Sequence, residues 1–190
     1  MTSQLLTPAN QITILRMAFI PVFVNLLVYN QLGWAFFVFL LAGVTDGLDG
    51  LMARWLQQKT SLGALLDPIA DKLLLTTAFV VLSIKGMELP NLIPLWLTIL
   101  VLSRDVFLIV STLIILLMTG HRNFPPSIYG KAATLIQIVT LTLVLLFNYL
   151  EIVPRWLWVL YPVTGAITVF SGLHYIYRGK RMVSEGPAPA

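Results

Sequence analysis

Four of the eight acidic residues of this chain, Asp46, Asp49, Asp67 and Asp71, fall within 26 consecutive positions. Asp46 and Asp49 are spaced i,i+3 and Asp67 and Asp71 i,i+4, so each pair lines one face of a helix. A short connection joins the two segments, which makes them antiparallel neighbours and lets four carboxylates converge at one depth. Four such groups cannot all stay ionised together without counter-charge. No His or Cys lies near them, and an all-oxygen ligand set selects hard divalent cations, Mg²⁺ or Mn²⁺. Two ions bridged by shared carboxylates would clamp a diphosphate, stabilising attacking and leaving oxygens together. Gly47, Gly50, Ala53 and Gly63 leave gaps where a nucleotide can approach the backbone. Pro68 frees a carbonyl and is expected to kink its helix beside Asp67. Arg54, one turn beyond Gly50, is placed to pair with phosphate. A blander reading has the acids facing lipid headgroups and the small residues only permitting close packing. It explains one acid easily and four with facing spacings poorly.

The elements that must carry these residues follow from composition. Of 190 residues, 58% are hydrophobic and 11% charged, with a mean hydropathy of +0.88. Soluble domains carry about 25% charged residues, so an ordinary soluble globule is excluded, as are a disordered chain, a nucleic-acid-binding arm and a disulfide scaffold. There is no cysteine, hence no thiolate chemistry. The first basic residue, Arg16, lies inside an apolar run rather than before one, which argues against a signal peptide. Six segments are apolar enough to predict spanning helices: 12–29, 34–55, 62–84, 92–118, 132–150 and 156–177. Trp34, Trp55, Trp96, Trp156, Trp158, Tyr149 and Tyr177 fall near their ends, as an aromatic belt requires. In the second and third segments the uninterrupted apolar stretches, 34–45 and 73–84, reach only about a dozen residues, and the aspartates occupy the remainder.

Six spans put both termini on one side. That side holds Arg54, Lys59, Arg122, Lys131, Arg178, Lys180 and Arg181, against Lys85 and Arg155 opposite. The net charge of +4 is therefore read as topology, with termini and active site facing the cytoplasm. The expected fold is all-α: a polytopic membrane protein of six transmembrane helices around a cytoplasm-facing polar cavity. Residues 1–182 form one domain and 183–190 a short disordered tail. The expected location is the bilayer of a bacterial inner membrane, with no nucleic-acid partner. The stretch before helix one, Leu5-Leu6-Thr7-Pro8, is short enough to lie along the interface.

Written out, the acidic window reads Asp46-x-x-Asp49-Gly50-x-x-Ala53-Arg54, eight residues, then Gly63-x-x-x-Asp67-x-x-x-Asp71. It resembles the signature of the CDP-alcohol phosphatidyltransferase family with no position missing, and the likeness extends over nearly the whole chain. The resemblance implies that Asp46, Asp49, Asp67 and Asp71 share two divalent ions. It further implies that Gly50, Ala53, Arg54 and Gly63 line the CDP pocket and that Asp71 doubles as general base. The donor would be CDP-diacylglycerol and the leaving group CMP. Members of that family commonly form homodimers, although the sequence marks no dimer face.

The acceptor is read from the remaining segments. Leu6-x-x-Ala-Asn10-Gln-Ile-Thr13-x-x-Arg16 and Tyr175-x-Tyr177-Arg178-Gly179-Lys180 resemble the two ends of phosphatidylglycerophosphate synthases, which act on glycerol 3-phosphate. Two places depart. Where those enzymes carry Gly-Lys-x-Lys-Thr, this chain reads Gly130-Lys131-Ala132-Ala133-Thr134, and the second lysine is lost. Where they carry Ala-Arg-Glu, it reads Ser103-Arg104-Asp105, similar to the cardiolipin synthases of the same family, whose acceptor is phosphatidylglycerol. Glycerol 3-phosphate is the first expectation and phosphatidylglycerol the second. A compact dianion wants two or three fixed cations, for which Arg104, Lys131 and Arg122 are the candidates. The alternative has Arg104 and Asp105 only satisfying each other and Lys131 snorkelling. His121 and His174 read as interfacial or packed residues, and Asn10 and Arg16 as the cap and anchor of helix one. A divalent-cation transporter would need acids along a path across the membrane, whereas these are confined to the cytoplasmic half.

Overall fold

The computed structural model describes residues 8–56, 61–119 and 128–184, with the side chains of 15–45, 72–111, 114 and 128–177. Among the described residues there are six α-helices and no strand: α1 (Pro8–Val28), α2 (Leu32–Leu56), α3 (Ser61–Leu82), α4 (Leu95–Thr119), α5 (Ile128–Tyr149) and α6 (Leu157–Ser184). Each coincides with one of the predicted segments, because an apolar run without water must satisfy its backbone internally. Pro8 opens α1, where its missing N–H costs nothing. α3 is helical on both sides of Pro68.

The chain sorts into two compact units, Met1–Leu92 with Leu141–Val153, and Ile93–Thr140 with Pro154–Ala190. In the first, α1 packs against both α2 and α3. Phe23 and Leu27 of α1 are buried, as are Ala35, Phe39 and Ala42 of α2 and Leu75, Ala78 and Leu82 of α3. The three- and four-residue steps between them mark single helix faces. The Phe23 and Phe39 rings meet at 5.8 Å between centroids.

Two turns in this unit share one geometry. After α1, Asn30 takes the left-handed conformation (φ 55°), Gln31 N–H donates to Leu26 O and Asn30 N–H to Leu27 O. After α5, Glu151 does the same (φ 54°), with Ile152 N–H donating to Phe147 O and Glu151 N–H to Asn148 O. Both are Schellman ends, which satisfy helix carbonyls that would otherwise be orphaned. A buried amide pair ties the second of them down. Asn91 N–H donates to Asn148 Oδ1 at 2.7 Å, and Asn148 Nδ2 returns a bond to Asn91 O at 3.0 Å. Asn91 Nδ2 donates to Ile152 O at 2.8 Å. Gly33 completes the contact, since a Cβ there would meet the Tyr149 ring at 2.9 Å.

In the second unit α4 packs on α6, and Gly165 makes the approach possible: a Cβ there would lie 2.9 Å from the Trp96 ring. A polar seam joins its helices. Thr140 and Thr164 share a hydrogen bond of 2.7 Å, Gln137 Nε2 donates to Thr168 Oγ1 at 3.2 Å, and Arg104 Nη2 donates to Ser171 Oγ at 2.9 Å.

Polar side chains are buried beside the apolar core, and many large apolar ones face outward. Arg16, Asn91, Arg104, Asp105, Gln137, Asn148 and several threonines are buried, while Phe37, Leu41, Ile99, Val106, Ile109, Leu135, Val163 and Leu173 are exposed. So much exposed apolar surface calls for a lipid surround. Trp34, Trp96, Trp156, Trp158, Tyr149 and Tyr177 are likewise exposed, as belt residues should be. Two helices are long and apolar enough to span over their described residues alone, α5 over Ile128–Tyr149 and α6 over Leu157–Tyr177. Leu15–Val28, Leu32–Thr45 and Lys72–Leu82 are shorter apolar stretches.

Two variants test this packing. Asn148→Leu leaves the Asn91 backbone N–H and carbonyl buried without partners, the Asn91 side-chain amide keeping Ile152 O, and should cost about 2–4 kcal/mol, read as a lowered melting temperature in detergent. Glu151→Gly relieves the left-handed backbone at an exposed position and should stabilise by roughly 0.5–1 kcal/mol in the same assay.

Candidate active site

Asp46, Asp49, Gly50, Ala53 and Arg54 occupy the last three turns of α2, and Gly63, Asp67 and Asp71 the first three turns of α3. Both stretches are helical, so the i,i+3 and i,i+4 spacings place each acid pair on one helix face. The side chains of 46–71 lie outside those described. The convergence of four carboxylates and the lining of a CDP pocket therefore stand as sequence expectations on a helical backbone. Among the described residues no group of three or more His, Asp or Glu forms a cation site.

α1 lies against both acid-bearing helices and contributes a residue that the sequence reading misplaced. Arg16 is 1% exposed. An anchor at the membrane surface keeps its guanidinium in water, so the anchoring role is corrected: this arginine is interior. The signal was present in the spacing. Arg16 stands seven residues before Phe23 and eleven before Leu27, both buried, and these intervals keep to one face of a helix.

The acceptor candidates belong to the second unit. Arg104 is 7% exposed in the middle of α4. Its Nη1 donates to Asp105 Oδ1 at 2.8 Å, and its Nη2 to Ser171 Oγ at 2.9 Å and, at 3.5 Å, to Gly130 O. Among the described residues its Nε–H makes no hydrogen bond. The mutual satisfaction of Arg104 and Asp105 is thus the observed arrangement, as burial of two opposite charges demands. Ser171, which completes it, was not singled out by sequence; only its position three residues after Thr168, on the buried polar face of α6, hints at the role. Lys131 is exposed in the first turn of α5, whereas Ala133, two residues on, is fully buried. His174 packs its ring 4.4 Å from that of Tyr129, in keeping with a packed histidine. Arg122 and His121 lie outside the described residues, as do residues 1–7 and 185–190.

Comparison with known proteins meets this arrangement from the other side. Residues 6–170 match the CDP-alcohol phosphatidyltransferase family. Among individual relatives, a "Cardiolipin synthase (CMP-forming)" of Streptomyces coelicolor is 36% identical over 153 residues, covering 76% of this chain and 67% of its own. The human protein of the same name is 31% identical over 189 residues, covering 89% and 61%. A "Probable phosphatidylglycerophosphate synthase" of Mycobacterium tuberculosis is 33% identical over 183 residues, covering 91% and 81%. The matched stretch contains every residue of the acidic window as well as the Arg104–Asp105 pair, and on that ground the chain belongs to the CDP-alcohol phosphatidyltransferase family, enzymes of phospholipid synthesis.

Proposed function

We propose that this enzyme transfers the phosphatidyl group of CDP-diacylglycerol to phosphatidylglycerol, forming cardiolipin and releasing CMP. The observation that carries the choice of acceptor is the burial of Ala133. Where the glycerol 3-phosphate enzymes bear their second lysine, this chain turns a methyl group inward. Arg104 is the only buried cation among the described residues of its unit, and its Nη1 and Nη2 hydrogen bonds go to Asp105, Ser171 and Gly130. A phosphate dianion held there would meet one arginine already neutralised by a carboxylate. The glycerol headgroup of a lipid needs hydrogen bonds rather than two or three fixed charges, and the free Arg104 Nε–H offers one. The names of the Streptomyces and human relatives support the same order.

The chemistry follows from the acid window. The four carboxylates form an all-oxygen donor set that fits hard divalent ions, and Asp46, Asp49, Asp67 and Asp71 would hold two Mg²⁺ or Mn²⁺. When bound, the ions neutralise the diphosphate of the donor and stabilise the charge that develops on it. Gly50, Ala53, Arg54 and Gly63 line the space for the cytidine half. Asp71 accepts the proton of the acceptor hydroxyl, whose oxygen attacks the lipid-side phosphorus. The new P–O bond forms as the anhydride bond to CMP breaks, and CMP departs with the electron pair. We further place all six helices across the membrane with termini and site facing the cytoplasm, on the charge asymmetry of the loops.

Glycerol 3-phosphate is the second reading, favoured by the two chain ends and by the relative from Mycobacterium tuberculosis. CMP release by purified protein, with CDP-diacylglycerol, Mg²⁺ or Mn²⁺, and each acceptor supplied alone, separates the two. Release with phosphatidylglycerol only is the expected result, and release with glycerol 3-phosphate only overturns the acceptor assignment. Two variants extend the test. Asp71→Asn should lose about a hundredfold or more of CMP release while keeping its helical circular dichroism; wild-type turnover would remove Asp71 as base. Lys131→Ala should leave the acceptor KM within about twofold, whereas glycerol 3-phosphate held through its terminal phosphate by that ammonium would lose roughly tenfold.

A further inference from the structure

We propose that Arg16 is the built-in counter-charge of the acidic site, placed by α1 at the level of Asp46 and Asp71 so that the metal-free enzyme bears the mutual repulsion of its carboxylates at lower cost. The inference rests on the reading of those aspartates as divalent-cation ligands and adds a third helix to the site. Arg16 was read from sequence as an anchor, yet it is 1% exposed on a helix packed against both α2 and α3.

Register puts it at the right depth twice over. Phe23 of α1 stacks near Phe39 of α2 at 5.8 Å, and the short turn at Asn30 makes these helices antiparallel. Seven residues back from Phe23 is Arg16; seven residues on from Phe39 is Asp46. Seven residues are two turns, about 10.5 Å of rise, so each step returns to the same helix face. The second measure runs along α3. Leu27, Val28 and Asn30 line one cavity of about 480 Å³ with Ile84, Gly86 and Met87, which brings the ends of α1 and α3 to one level. Counting back from those ends, Arg16 is 12 residues before Val28 and Asp71 is 11 before Leu82. The descents are about 18 and 16.5 Å. Asp71 also stands seven residues before Ala78, a fully buried position of α3.

The electrostatics give the residue its task. Four carboxylates without metal carry up to four negative charges, and each resists ionisation of the next. A fixed guanidinium at their level lowers that cost when no ion is bound, and by the same sign it weakens the pull on incoming cations. Arg16 is therefore a positioning residue acting through the aspartates, not a group that touches the reacting atoms.

The test uses the full-length protein in detergent, as wild type, Arg16→Met, Arg16→Lys and the double variant Arg16→Met/Asp46→Asn. Thermal unfolding is followed in chelator and during titration with Mg²⁺ or Mn²⁺, and the KM for CDP-diacylglycerol is measured alongside. Arg16→Met should melt several degrees lower in chelator and bind divalent ions roughly tenfold more tightly, as loss of one nearby positive charge requires. Arg16→Lys should keep the wild-type metal titration, and the double variant should regain most of the lost metal-free stability. Equal destabilisation of Met and Lys variants with an unchanged metal titration would make Arg16 a packing residue and overturn the proposal. A raised KM for CDP-diacylglycerol with an unchanged titration would make it a diphosphate ligand, which also overturns it. Should Arg16→Met fail to fold, an equally unfolded double variant overturns the pairing with Asp46. A wild type that gains no stability from either metal defeats the metal reading itself, a separate failure.

Discussion

The cost of a charge that water cannot reach organises this protein. Much of its described outer surface is apolar, so every buried ionisable group must find its partner inside the chain. Arg104 and Asp105 show the solution directly. Adjacent residues in the middle of α4 join through a 2.8 Å ion pair, and Ser171 supplies a further acceptor at 2.9 Å. The neutral seam of Thr140, Thr164, Gln137 and Thr168 obeys the same rule with weaker groups. In lipid such bonds hold helices together, because the surrounding tails are as apolar as the side chains and offer no hydrophobic contrast.

That constraint explains why the helices were legible in the sequence and why their partnerships were less so. Apolar runs long enough to become helices are visible as runs, and the six observed helices begin and end within four residues of most of the predicted ones, drifting farther only where charge follows. α6 continues to Ser184 through Arg178, Lys180 and Arg181, because a helix leaving the apolar layer need not stop there. What a run cannot show is which of its faces meets protein. Arg16 looked like a surface anchor because it stands near the start of α1 with apolar neighbours on either side. Its depth becomes readable only once Phe23 and Leu27 are known to be buried on the same face. The Asn91–Asn148 clasp was invisible for a different reason: its partners are 57 residues apart, and neither asparagine belongs to any spacing pattern.

The chemical residues divide along similar lines. The aspartates were conspicuous because four acids in an apolar chain have no cheap explanation, and their i,i+3 and i,i+4 spacings gain physical meaning from the helices that carry them. Arg104 was conspicuous for the same reason, but the sequence left open whether it faced a ligand or its neighbour. Asp105 settles part of that question by taking Nη1, while Nε keeps a hydrogen to give.

Acceptor choice in such an enzyme reduces to counting charges at inward positions. Position 133 is fully buried, so its residue is felt by the interior whatever its type. A lysine there would add a second inward cation, and a phosphate dianion would be its natural complement. An alanine leaves the interior with Arg104 and Asp105 balanced, a setting in which a neutral glycerol hydroxyl is held as well as in water and a dianion far worse. Lys131, two residues earlier and exposed, does not substitute for it, because a charge in contact with solvent is screened and contributes little to holding a desolvated phosphate. On the acceptor proposed above, a single inward side chain turns a shared phosphatidyl-transfer site from a soluble phosphate ester toward a lipid.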